Sequence, residues 1–250
     1  MKRKDFLRGL GLVGLGSLTI PVISSCSTDA DTAATTTTGT NSNTAVGTTT
    51  SGNCSVTPSE TAGPFPTKTP SSLVTANIVS DRTGVAFTIN ITIKNTNASC
   101  AVLEGAIVDI WHCDKDGYYS EYGGTSMQSV NYTSVHFLRG RQVTDANGLV
   151  TFSSIFPGWY SGRATHIHVH IYSANGTSLL VTQIAFPEGS DSAVALVNAS
   201  TANGYTKGLT GYTYNASDNV FSDSTANELA SVSGSIAEGF VLDHSINVVG

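Results

Sequence analysis

An all-β sandwich is the fold class that this sequence predicts, and three observations predict it. Residues 85–95 alternate, with Phe87, Ile89, Ile91 and Ile93 on one face and polar residues on the other, the period-two pattern of a half-buried strand. Short β-rich runs recur along the chain and are joined by Asn-Gly turns at 145–148 and 173–176, which read as hairpins. A single stretch, 190–200, reads as a short helix, with Ser or Asp as its cap. Many short strands with almost no helix build a sandwich of two packed sheets.

The elements follow in order. After the strand at 85–95, a second is expected at 105–111 (GAIVDIW). Strands at 135–144 and 149–155 flank the first Asn-Gly turn, and strands at 164–172 and 179–186 flank the second. Two closing strands are expected within 228–239 and 240–249. No internal repeat is visible.

Ahead of this domain the chain reads differently. Lys2, Arg3, Lys4 and Arg8 form a basic head, and the apolar run from Leu10 to Ile23 that follows is too short for an ordinary spanning helix. This is the pattern of a signal peptide. The run VISSC resembles a bacterial lipoprotein cleavage box, with Cys26 as the lipid-bearing residue, and KRKDFLRG loosely resembles a twin-arginine export signal. Residues 27–53 are Thr, Ser, Ala, Asn, Asp and Gly with almost no large apolar side chain, so they cannot offset their ordering entropy and read as a tether. The expected organisation is a signal at 1–26, a tether at 27–53 and a β-sandwich at 54–250. The product is expected outside the cytoplasm, lipid-anchored at the bacterial cell envelope.

Composition narrows the partners. The 250 residues are 40% hydrophobic, enough for one sizeable core or two small ones. Lys and Arg number 12 against 18 Asp and Glu, a net charge of -6. Such a chain has no broad positive field, which argues against nucleic acid. Of the four cysteines, Cys54, Cys100 and Cys113 belong to the domain, and outside the cytoplasm one disulfide with one thiol left over is expected. Cys100 and Cys113 flank one strand too long to let them meet, while Cys54 fits either, so the pairing stays open.

The residues with chemical potential cluster. His166, His168 and His170 stand at spacing two on one strand, so all three point to one face. Half of the chain's six histidines fall within these five residues. Adjacent imidazoles are costly to bury unless something accepts their lone pairs, and a metal does. Spacing alone does not choose among zinc, copper and iron. Tyr160 ends a Pro-Gly turn just before this strand, and Tyr118 and Tyr119 follow a turn after the strand at 105–111. Phenolates are hard oxygen donors that suit Fe(III). Arg163 lies between Tyr160 and His166 and keeps its charge in any surroundings.

At these residues the sequence resembles the intradiol ring-cleavage dioxygenases, relatives of protocatechuate 3,4-dioxygenase and catechol 1,2-dioxygenase. The matching runs are TPSETAGPF (57–65), LEGAIVDIWHCDKDGYY (103–119), FLRGRQVTDANG (137–148), IFPGWYSGRATHIHV (155–169) and TQIAFPE (182–188), in order and covering most of the chain from residue 54. The resemblance implies a prealbumin-like sandwich holding one Fe(III). The family's first tyrosine ligand follows the strand Trp by eight positions, which from Trp111 is Tyr119 and not Tyr118. The second, axial ligand is Tyr160, and the paired histidine ligands are His166 and His168. His170 falls outside that pattern. By the same resemblance Tyr160 would also take a substrate proton as it leaves the iron, Arg163 would stabilise negative charge on the ring carbon that O2 attacks, and Gln183 would help to orient groups around the metal. The implied reaction joins a small aromatic diol to O2 and opens the ring between its hydroxylated carbons to a cis,cis-muconate. The TAGPF run is expected to wall the pocket, with Ala62 where many relatives carry an acidic or larger residue. The long N-terminal helices and partner subunit of some relatives have no evident counterpart, and the oligomeric state is left open.

Two other readings compete. Prealbumin-type sandwiches also decorate surface proteins without catalysis, and a copper- or zinc-binding lipoprotein would use the three histidines. The first leaves two tyrosines and two histidines together without a reason.

Overall fold

In the computed structural model, residues 54–250 are described; the signal, cleavage site and tether read at 1–53 lie outside them. Two sheets face each other. One carries β1 (Ala86–Asn95), β2 (Ala101–Val102), β5 (Leu149–Ile155), β8 (Ser231–Ser235) and β9 (Gly239–Val248). The other has the order β4-β3-β6-β7, made of β3 (Ile107–Trp111), β4 (Arg139–Val143), β6 (His166–Tyr172) and β7 (Ser178–Ala185). β1 runs parallel to β9 and antiparallel to β5, and all neighbours in the second sheet are antiparallel.

The alternation read at 85–95 forms β1. Phe87, Ile89, Ile91 and Ile93 are buried and pack toward Val108, Ile110, Ile167, Val169 and Ile171 of the facing sheet. Inward residues of β6 are therefore the odd-numbered ones, and His166, His168 and His170 stand on its other, outer face. Both hairpins form where the turns lie. Asp145 Oδ1 accepts the Asn147 and Leu149 N–H groups at 2.9 Å in the first. The helix is α1 (Ala193–Asn198), capped by Ser192, whose side chain accepts from the Ala195 N–H.

The strand expected at 135–144 is shorter than expected. Leu138 takes a left-handed φ of 54°, which ends extended pairing, and its carbonyl accepts the His112 N–H at 3.2 Å. Residues 135–138 thus fold over the end of β3 and only β4 remains as strand. The pairing of cysteines is resolved as Cys54–Cys100, with Cys113 a buried free thiol.

A strap of chain, residues 54–68, crosses to the outer face of the second sheet. The disulfide ties its start to the β1–β2 connection, Thr57 and Asn247 exchange hydrogen bonds of 3.0 Å, and the Glu60 N–H donates to Val181 O at 2.8 Å. This contact also covers the free edge of β7, a position that would otherwise expose unpaired backbone groups.

Candidate active site

The outer face of β6 is covered at one end by the strap and by the two loops that carry the tyrosines. Gly117 brings those loops together. It holds φ +91°, and a Cβ there would lie 2.3 Å from Trp159 O, so only glycine lets the turn before Tyr119 lie against the turn before Tyr160. Gly158 donates to Asp114 O at 3.1 Å across the same seam. Gln128 then fixes the backbone of Tyr119, accepting from its N–H at 2.7 Å and donating to its carbonyl at 2.8 Å.

Four donors converge. Tyr119 is fully buried, and its hydroxyl lies 3.3 Å from His166 Nε2. His166 Nε2 lies 3.0 Å from His168 Nε2. The Tyr160 ring stands edge-on to those of Tyr119 and His166, at 5.7 and 5.6 Å between centroids. His166 Nδ1 donates to Ala164 O at 2.6 Å, so its Nε2 carries a lone pair aimed at the cluster. His168 is held flat between Trp111, stacked at 5.0 Å and 4°, and Gly63 of the strap. Phe65 stacks on Tyr119 at 4.9 Å.

The electrostatics favour neutral imidazoles and protonated phenols until a cation arrives. Burial, helped by the Arg163 charge, pulls His166 down to about 3. Burial, then the neighbouring His166, holds His168 well below the usual range. Burial first and then Tyr160 push Tyr119 well above an ordinary phenol, and burial raises Tyr160. Two neutral imidazoles whose Nε2 atoms face each other can share a single proton, and His168 Nδ1 has no partner. A cation between them satisfies both lone pairs and compensates two phenolates. The residues therefore fit a metal, and the donor set of two oxygens and two nitrogens suits a hard ion such as Fe(III). Among the described residues no three His, Cys, Asp or Glu side chains come together, so a metal here depends on the tyrosines.

The remaining expectations resolve as follows. Arg163 is 7% exposed and pairs with Asp218 at 2.9 Å. Its Nη2 donates to Gln183 Oε1 at 2.6 Å, and Gln183 Nε2 donates to Thr61 O at 2.8 Å. Tyr118 faces Tyr132 and stays out of the cluster. His170 lies farther along the same face, stacked on Tyr172 and bonded to Ser178 Oγ at 2.8 Å, away from the donors. Thr61, Gly63 and Pro64 wall a cavity of about 450 Å³ beside Tyr160 and Arg163, as the TAGPF run implied. Reading the sequence missed Asp218, Gln128 and Arg139. Arg139 is buried and bridges Phe65 O (2.9 Å) to Ser120 O (2.7 Å), locking the strap to the loop of Tyr119. An Arg directly after the apolar pair Phe137 and Leu138 was the one available signal; Asp218 and Gln128 lie in loops with none.

Comparison with known proteins fits this geometry. A family model described as Dioxygenase (Dioxygenase_C) matches residues 65–227, and the chain belongs to that family of enzymes. Its relatives are intradiol ring-cleavage dioxygenases. The chain is similar to the intradiol ring-cleavage dioxygenase from Tetranychus urticae, at 28% identity and a TM-score of 0.67, over 78% of this chain and 95% of that one. It shares its fold with the dioxygenase domain of a dioxygenase carbohydrate-binding protein fusion from Streptomyces sp. SirexAA-E, at 24% identity and a TM-score of 0.54, over 77% of this chain and 97% of that one. Chlorocatechol 1,2-dioxygenase of Rhodococcus opacus is 32% identical over 103 residues, 34% of this chain and 37% of the relative. That match thus spans little more than a third of the curated relative's length.

Proposed function

We propose that this protein is an Fe(III)-dependent dioxygenase that cleaves a catechol-type ring between its hydroxylated carbons with O2 to give a cis,cis-muconate. The observation that carries the reading is the convergence at His166 Nε2, which lies 3.3 Å from the Tyr119 hydroxyl and 3.0 Å from His168 Nε2, beside the ring of Tyr160 and an open cavity. Tyr119, Tyr160, His166 and His168 would hold the iron. When bound, the iron would supply Lewis acidity that draws electron density from a chelated diol and makes the ring reactive toward O2.

The chain's own residues do the rest. Tyr160 is the donor nearest the cavity, so its phenolate oxygen is placed to accept a hydroxyl proton from the entering diol. Arg163 Nη1 lies 3.5 Å from that same oxygen and presents positive charge where negative charge grows on the ring, a prepositioned charge that needs no reorganisation. Gln183 orients Arg163 from behind. Phe65, Trp111 and Cys113 pack around Tyr119 and keep water from the buried side of the centre.

Iron-replete expression tests the reading. Tyrosinate-to-Fe(III) charge transfer is expected as a broad visible band, with O2 uptake and muconate absorbance on a panel of catechols. In Tyr119→Phe the band and the iron are expected to fall away while the fold persists by circular dichroism. A colourless protein that carries zinc or copper after such expression would overturn the proposal.

A further inference from the structure

Arg163 is less free than its place in the sequence implies. Its Nε lies 3.0 and 2.9 Å from the two carboxylate oxygens of Asp218. Asp218 is fully buried, and its carboxylate also accepts the Ala164 N–H at 2.7 Å and the Val220 N–H at 2.8 Å. With Nη2 on Gln183, Nη1 is the arm left toward Tyr160 and the cavity. Among the described residues that line this cavity Arg163 is the one cation, and Met127, Pro64 and Val220 present apolar surface.

We propose, resting on the dioxygenase reading above, that Asp218 is a positioning and specificity residue: it aims Arg163 Nη1 at the reacting ring and cancels the charge that would recruit a ring carboxylate. The site then takes diols whose other substituents are uncharged, such as alkyl or chloro groups. An unpaired buried guanidinium is a strong bidentate site for a carboxylate. Here Asp218 holds Nε and Gln183 holds Nη2, so only Nη1 is left and no fork is open, and a second carboxylate would meet the Asp218 charge in a poorly solvated place, which disfavours it by repulsion. The cavity of about 450 Å³ leaves room for such substituents.

Steady-state kinetics of the iron-loaded enzyme with 4-methylcatechol and with 3,4-dihydroxybenzoate tests this, with the visible band as the readout of an intact centre. The wild type is expected to favour 4-methylcatechol in kcat/KM by roughly 10²-fold, the scale of a like-charge clash. Asp218→Asn is expected to keep iron and band, to lose roughly 10²-fold in kcat on 4-methylcatechol through misplacement of Arg163 with far less change in KM, and to narrow the preference. Asp218→Glu, which keeps the charge, is expected to lose kcat and keep the preference. Equal turnover of the two diols by the wild type overturns the proposal, also if Asp218→Asn does not fold. So does a folded Asp218→Asn with unchanged kcat and preference, while the dioxygenase reading stands. A wild type that is colourless and inert toward every diol removes the dioxygenase reading, and this inference with it.

Discussion

Gly63 shows how much of the centre rests on residues that bring no donor atom to it. It holds φ +69°, and a Cβ built on it would lie 2.8 Å from His168 Cε1. Neither the left-handed backbone nor the imidazole can yield cheaply, because Trp111 backs His168 at 5.0 Å on its other face. Gly63→Ala is therefore expected to cost on the order of 1–2 kcal/mol in stability and to weaken metal retention, read as iron per chain after dialysis against a chelator. Wild-type retention in that variant would mean that the strap does not set the His168 ring. The residues that sequence reading singled out are those marked by chemical type: three histidines at spacing two on a strand, which the family resemblance cut to two, and tyrosines at strand ends. The residues it missed act through placement. Asp218 reaches Arg163 across 55 positions and Gln128 holds Tyr119 through its side-chain amide, and neither residue type in a loop announces such a task.

At the level of elements, periodicity made β1 and β5 legible, because each buries one face and leaves the other at least partly open to solvent; β6 and β7 are buried on both faces over much of their length and were legible through the hairpin turn between them. The strap was legible only as a pocket wall. It has no period, since it is held by backbone bonds to β7 and β9 and by the Cys54–Cys100 bridge, and cysteine counting left two pairings open. The segment 135–138 failed for a related reason: its residues have strand propensity, but Leu138 turns the chain into the core and tertiary packing prevails over propensity. The bridge closes a loop with a sequence separation of 46. Removing it in Cys54→Ser/Cys100→Ser is expected to cost roughly 3–4 kcal/mol by loop-entropy arguments, measured by denaturant unfolding. Protease cleavage should then concentrate in the strap. An unchanged midpoint and cleavage pattern would show that the strap is held by its hydrogen bonds alone.

Across the whole molecule, buried histidines set the response to acid. His112 sits between Cys113 O at 2.8 Å and Ser154 Oγ at 2.7 Å, and burial, with the Arg139 charge adding, holds it down to about 4. Burial brings His244 to about 4 as well. In the unfolded chain both return to about 6.5. Above that value neither state binds the proton, so stability is fully present. Between about 6.5 and 4 only the unfolded chain binds it, and stability falls as pH drops; below about 4 the loss levels off. Each such histidine is expected to contribute on the order of 1 kcal/mol per pH unit inside that window. Urea midpoints of metal-free protein from pH 7.5 to 4.5 measure the slope, and His112→Gln should flatten it. A midpoint constant across the window would contradict the account.

The bonds between Thr57 and Asn247 join positions separated by 190 residues, and they anchor the strap whose Gly63 and Thr61 touch His168 and Gln183. On the ribosome Thr57 emerges 190 positions ahead of the residue that holds it. The strap consequently gains this anchor only once β9 has emerged. Contacts of such long range also slow folding, so the cover that the strap lays over His168 and Gln183 is secured late.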